Sequence, residues 1–295
     1  MKRSRLMSYE WMVKYTPQEE WIEGQGVLLW LAFFFSEIGA GIYFVSLFLN
    51  FPPGWLTGWL VTLVLGGLIH VAYLGNPMRA WRILLKPVNS ELSRGLWIIF
   101  VFAAIGFFQV LPVVFSGLPW TGDSPVLKAI MGILSVLIIG HGFLTMNVVK
   151  ALPLWNSSMM LPLSLVSGIF VGSQAVEFMS FLAGRDILVA ELWARWSLIG
   201  YMGILLMFLW GTAHTSETAR ASIMGLVMGD SSVRFYIGVI IIGILIPLII
   251  TLLVWGNDVS KLSAGILFLR FICVLIGDLM MRYNIMKGAL YSPLI

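Results

Sequence analysis

The sequence predicts an all-α integral membrane protein with eight transmembrane helices, arranged as two side-by-side four-helix bundles. Three observations lead there. The 295 residues are 59% hydrophobic and 11% charged, against roughly 25% charged in a soluble domain. The apolar residues fall into runs that reach the ~18–20 residues needed to cross a bilayer. The cations gather at the ends of those runs, where membrane proteins keep them. The pI near 9.3 is therefore a matter of topology, and no nucleic-acid partner is expected.

The chain opens with a polar, amphipathic tail, residues 1–26. The apolar run behind it is too long for the hydrophobic core of a cleavable signal, so no signal peptide is expected. Eight spans follow at about 27–50, 57–76, 95–117, 126–149, 160–183, 192–215, 234–256 and 263–284. Backbone groups in hydrocarbon must be satisfied within their own segment, so each span is a helix. Short turns at Pro52-Pro53-Gly54, Pro119 to Asp123, Gly184-Arg185-Asp186 and Gly256-Asn257-Asp258 make successive helices antiparallel neighbours. The first bundle covers 27–150; the second, with the C-terminal tail, covers 151–295.

Orientation follows from Lys and Arg. Lys2, Arg3, Arg5, Lys14, Arg79, Arg82, Lys86, Arg94, Lys150, Arg220, Arg234, Arg282 and Lys287 fall at one face. Lys128, Arg185, Arg195 and Lys261 fall at the other. The positive-inside rule places both termini and the even-numbered loops in the cytoplasm. A face that docks an acidic partner would be basic as well.

The single cysteine, Cys273, excludes disulfides, iron–sulfur clusters held by this chain and thiolate zinc sites. No phosphate loop, dinucleotide fingerprint, zinc-protease motif or nucleophile elbow stands in a usable context. Thirteen tryptophans lie largely near helix ends, as an interfacial aromatic belt does.

Ionisable residues at membrane depth are costly and mark function by default. Glu37 lies about ten residues into span one, beside Ser36, Gly39, Ala40 and Gly41, which let a helix or a flat ligand approach closely. His70 and His141 lie at matched depth in spans two and four. Gly140 and Gly142 flank His141 and leave space beside the ring. Such a pair suits bis-histidine haem b ligation or a quinone pocket, where imidazole donates to a carbonyl and passes a proton. Glu177 is expected to pair with Arg195. Arg270 and Asp278 stand eight residues apart in span eight, about 12 Å of rise, too far for a direct bridge. They need partners elsewhere in the second bundle and are candidates for a proton path. Arg79, Arg82, Lys86 and Arg94 make the second loop basic, as an anchor or a docking surface.

Three stretches resemble one family. HVAYLGNPMRAWRILLKPVNSELSRG, from His70 to Gly95, resembles the second-loop pattern of the NrfD-like polysulfide reductase membrane subunits. GHGFLTMNVVKALPLWNSSMMLPLSLVSG, from Gly140, is similar to that family's fourth span, following loop and fifth span. TARASIMGLVMGDSSVRFYIGVIIIGILIPLII, from Thr218, is similar to its sixth loop and seventh span. The resemblance covers about residues 25–290.

It implies a membrane anchor subunit, without a cofactor of its own, that binds menaquinone or ubiquinone. The implied partners are a four-cluster ferredoxin-like iron–sulfur subunit and a molybdenum or tungsten bis-pterin catalytic subunit. Iron–sulfur clusters and molybdopterin would reside on those partners alone. The implied setting is the cytoplasmic membrane of a prokaryote. The family often carries a tyrosine in span four at the quinone; here the matching pattern is His141-Gly142-Phe143-Leu144. Glu37 stands in for a histidine that some members carry early in span one. On this reading Glu37, His70 and His141 carry the quinone chemistry, with Gly142 completing the pocket. The basic loop faces the iron–sulfur subunit. The alternatives are a cytochrome b-type haem subunit, or a proton- or ion-translocating protein using Glu37, Arg270 and Asp278.

Overall fold

A computed structural model of the chain describes residues 10–255 and 258–294. The tail cations Lys2, Arg3 and Arg5, and Gly256 and Asn257 of the seventh turn, lie outside the described residues.

Among the described residues, eight helices are long and apolar enough to cross a membrane. They are span one (Gly26–Phe48), two (Pro52–Tyr73), three (Glu91–Val114), four (Pro125–Asn147), five (Met160–Leu182), six (Leu188–Ala213), seven (Ser232–Leu253) and eight (Ala264–Lys287). The chain is a multi-pass helical membrane protein. Large apolar side chains such as Phe108, Leu206, Met207, Trp210 and Ile237 are exposed on its flanks, as lipid-facing residues are.

Several ends differ from the sequence reading. Pro52 and Pro53 belong to the first turn of span two rather than to a loop. Proline suits that position, because the first helical N–H groups have no partner to lose. Span three starts at Glu91, ahead of the expected 95. Ser90 caps it by accepting from the Ser93 backbone N–H at 3.3 Å. The sixth connection contains a further helix, Glu217–Val227, capped by Ser216. Its patterning is too polar to read as a span.

Two spans carry π-helical stretches, Val61–Gly67 in span two and Phe235–Leu245 in span seven. The second ends just before Pro247. Proline lacks the N–H that an α turn would use, and the wider turn absorbs that loss.

The tails meet at one end of the molecule. Thr16 pairs with Tyr291 and Pro17 with Leu290 in a two-stranded antiparallel ladder. Gln18 Nε2 donates to Met286 O at 2.8 Å.

Spans one and five form the centre. Span one packs on spans two, four and five; span five packs on one, six and eight. Their crossing is built from glycine. A Cβ on Gly41 would stand 2.0 Å from Gly168 O, and one on Gly172 would stand 2.4 Å from the Gly41 carbonyl carbon. Small residues let membrane helices approach backbone to backbone. One face of span one joins a core with Trp55, Phe102 and Met131 of the first half. Its other face, through Phe34, Ile38, Ile42 and Val45, shares the main core with Phe170, Val274 and Met281 of the second.

Candidate functional site

The site starts from charge that lies too deep for water. Among the described residues, seven charged side chains are buried: Glu37, Glu177, Glu191, Arg195, Arg270, Asp278 and Arg282. A buried charge survives only when paired and hydrogen-bonded, and the fold pairs all of them.

Glu191 and Arg195 sit one turn apart on span six. Arg195 Nη2 donates to Glu191 Oε2 at 2.7 Å and to Val254 O at 2.9 Å. This corrects the expected pairing of Arg195 with Glu177. Glu177 faces span eight instead and pairs with Arg270. The i,i+4 geometry within one helix gives Arg195 a nearer acid. Arg270 also reaches Thr251 Oγ1 at 3.4 Å.

The third set holds three charges. Arg282 Nη1 donates to Glu37 Oε2, and Nη2 to Glu37 Oε1 at 2.7 Å. Its Nε donates to Asp278 Oδ2 at 2.8 Å, and Nη2 also reaches Ser167 Oγ at 2.7 Å. Ser167 in turn donates to Asp278 Oδ1. Spans one, five and eight thus meet at one guanidinium, which also lies over the Phe143 ring of span four at 5.5 Å. The bidentate fork on Glu37 suits arginine alone among the cations.

Arg282 is therefore not a surface cation of the basic face, as its place near the end of span eight suggested; it is 4% exposed. A signal was present in the sequence: Asp278 and Arg282 stand i,i+4 within an apolar helix. Nothing in the sequence marked Ser167.

Beside this cluster runs a narrow cleft lined by Trp30, Phe33, Glu37, Gly142, Phe143, Met146, Arg282 and Met286. It offers about 10 Å³, roughly the space of one water. The indole Nε1 of Trp30 is buried without a protein partner. Of the residues singled out in the sequence, the cleft joins Glu37 with Gly142, adds Arg282, and lies next to the histidines through Phe33.

The His70 ring meets Phe33 edge-on at 5.5 Å between centroids, and its Nδ1 lies 3.0 Å from Gly66 O. Gly142 also packs against Phe33, where an added Cβ would stand 3.4 Å from the ring. The space expected beside His141 is filled by protein. Its ring presses on Gly95 of span three, where a Cβ would stand 1.7 Å from Nε2. That nitrogen lies 3.3 Å from Thr145 Oγ1. Nε2 of His141 is thus aimed at the backbone of span three, where an axial ligand would need open space. The residues do not fit a bis-histidine haem.

The cleft walls are aromatic or methionine, with an acid, a guanidinium and an unpartnered indole N–H among them. The cleft has room for about one water, and Met146 and Met286 are the unbranched side chains able to give way.

Arg270 and Asp278 do not touch. They belong to separate ionic sets, one on each side of the mid-length of span eight.

In the second loop, Pro77–Leu85 forms a 3₁₀ helix. Arg79, Arg82, Lys86 and Arg94 are all exposed. Arg94 is occupied within the loop: its Nε donates to Pro87 O at 3.0 Å, its Nη2 to Val88 O at 2.5 Å, and its Nη1 to Glu91. Arg79, Arg82 and Lys86 project beside the exposed apolar side chains Met78, Trp81, Leu85 and Val88.

Fold and site together define a polytopic helical membrane protein with a buried ionic cluster at the edge of an aromatic cleft. No protein-family model matches the chain, and no curated protein matches it.

Proposed function

We propose that the chain is the quinone-reactive anchor subunit of a respiratory oxidoreductase complex in the cytoplasmic membrane of a prokaryote. Its termini lie in the cytoplasm. The observation that carries this reading is the cleft beside Glu37 and Arg282. It joins aromatic walls to buried acid–base groups within one helix layer of His70 and His141. The resemblance of the second loop, of spans four and five, and of span seven to the NrfD-like subunits supports it.

On this reading menaquinol or ubiquinol enters between Phe33, Gly142 and Phe143. Its two electrons leave one at a time to the nearest cluster of a four-cluster iron–sulfur subunit. Its two protons pass to Glu37 and the histidines. The iron–sulfur subunit, seated on Arg79, Arg82 and Lys86, relays electrons to a molybdenum or tungsten bis-pterin subunit. With quinone reduction the same steps run in reverse.

The test is binding of a fluorescent quinol analogue to the purified chain in detergent. Wild type quenches its fluorescence saturably. Gly142→Leu, which puts a branched side chain against Phe33, weakens binding at least tenfold. Gly203→Leu, where an added Cβ meets nothing within 4 Å, does not. Equal binding by Gly142→Leu and wild type would remove the cleft as the quinone site.

A second reading, a proton- or ion-translocating protein that works without partners, draws on the same buried ionic groups. Co-purification with an iron–sulfur protein counts against it.

A further inference from the structure

The buried charges do not balance. Glu191 faces Arg195, and Glu177 faces Arg270, one to one. The third set sets two carboxylates, Glu37 and Asp278, against the single guanidinium of Arg282. All three side chains are at most 4% exposed. If both acids were ionised, one negative charge would stand unneutralised in a medium where an isolated ion costs several kcal/mol or more. A carboxylate can avoid that cost by taking a proton.

We propose that Glu37 and Asp278, bridged by Arg282, form a buried proton-binding site that holds one proton at neutral pH and exchanges it through the cleft at Trp30.

The groups around the cluster agree with a site for a proton rather than a further metal or organic ion. Span five contributes Ser167, whose hydroxyl already links Arg282 to Asp278. Span six contributes Tyr201, 1% exposed, whose hydroxyl has no hydrogen-bond partner in the protein. Span four contributes the face of Phe143, which carries no titratable group. Among the described residues, no second cation reaches the cluster by a salt bridge or hydrogen bond.

The exchange route follows from the cleft. Its walls Trp30, Met146 and Met286 lie near the ends of spans one, four and eight that share the face of the paired tails. One water there would find Glu37, Arg282 and the unpartnered Trp30 Nε1 as neighbours, within the two to four polar contacts that buried water makes. A proton could pass from that water to Glu37, and across the shared fork of Arg282 the charge would redistribute to Asp278. The inference stands whether or not the cleft takes a quinone.

Infrared spectroscopy of the purified chain in lipid tests it directly. At neutral pH the wild type should show one protonated-carboxyl C=O band that shifts in D₂O. Glu37→Gln and Asp278→Asn should each abolish it, because either change leaves one acid facing one guanidinium. Glu177→Gln should leave it in place. Absence of the band in wild type, its survival in both Glu37→Gln and Asp278→Asn, or its loss in Glu177→Gln would overturn the proposal. Should the cluster variants fail to fold, the wild-type band and its deuterium shift still decide.

Discussion

Glu37 and Arg282 are 245 positions apart in sequence, and form a bidentate ion pair inside the membrane. The pair ties the first span to the last, across the seam where spans one and five cross on glycine. Arg282 is also the only guanidinium on Asp278 among the described residues.

Replacing Arg282 by Met should be severe. It leaves two buried carboxylates and no counter-charge, and breaking a buried pair costs about 3–5 kcal/mol. Thermal unfolding in detergent should show a clear loss. The triple change Glu37→Gln, Asp278→Asn, Arg282→Met, which removes every charge, should recover most of it.

The Glu177–Arg270 pair offers a cleaner cycle. Each partner is almost wholly buried, and Arg270 Nε and Glu177 Oε1 have no partner in the protein. Glu177→Leu or Arg270→Met alone should destabilise by about 3–5 kcal/mol, while the double change should cost far less. Additive losses in chemical denaturation would show that the two side chains act separately.

The glycine crossing should tolerate no side chain. Gly41→Leu or Gly172→Leu pushes spans one and five apart, against backbone that cannot yield. Overpacking of this kind costs about 1–3 kcal/mol or more. Size-exclusion profiles in detergent should broaden or collapse for both, and stay sharp for Gly203→Leu.

The cations of the second loop should separate into two roles. Arg94→Ala removes the bonds to Pro87, Val88 and Glu91, so proteolysis within residues 77–90 should speed up. Arg79→Glu with Lys86→Glu should leave cleavage unchanged and weaken capture of an acidic iron–sulfur partner. That weakening should fade as salt rises, because exposed charges are screened beyond about 8 Å at physiological ionic strength.

The eight spans were legible because hydrophobic length and interfacial charge are local properties of the chain. Glu37 stood out for the same reason: a carboxylate in an apolar run is visible without a partner. Arg282 was misplaced because its neighbours in sequence resemble a helix end. Only the packing of span eight against span one brings it to Glu37. The error at Arg195 was different, since Glu191 stands i,i+4 from it on the same helix and was the nearer acid all along. The glycines beside His141 were read as room for a ligand, yet the imidazole points across to Gly95, a position on another helix.

By itself the sequence determined the membrane-spanning class, the number of spans, the absence of iron–sulfur ligands and the presence of costly charge at depth. These follow from transfer free energy and residue chemistry, which belong to each segment alone. Tertiary structure decided which charges share a partner, that two acids meet one guanidinium, and that a narrow cleft opens beside them. Those outcomes rest on helix crossings set by glycine contacts and side-chain volume, which no single segment encodes.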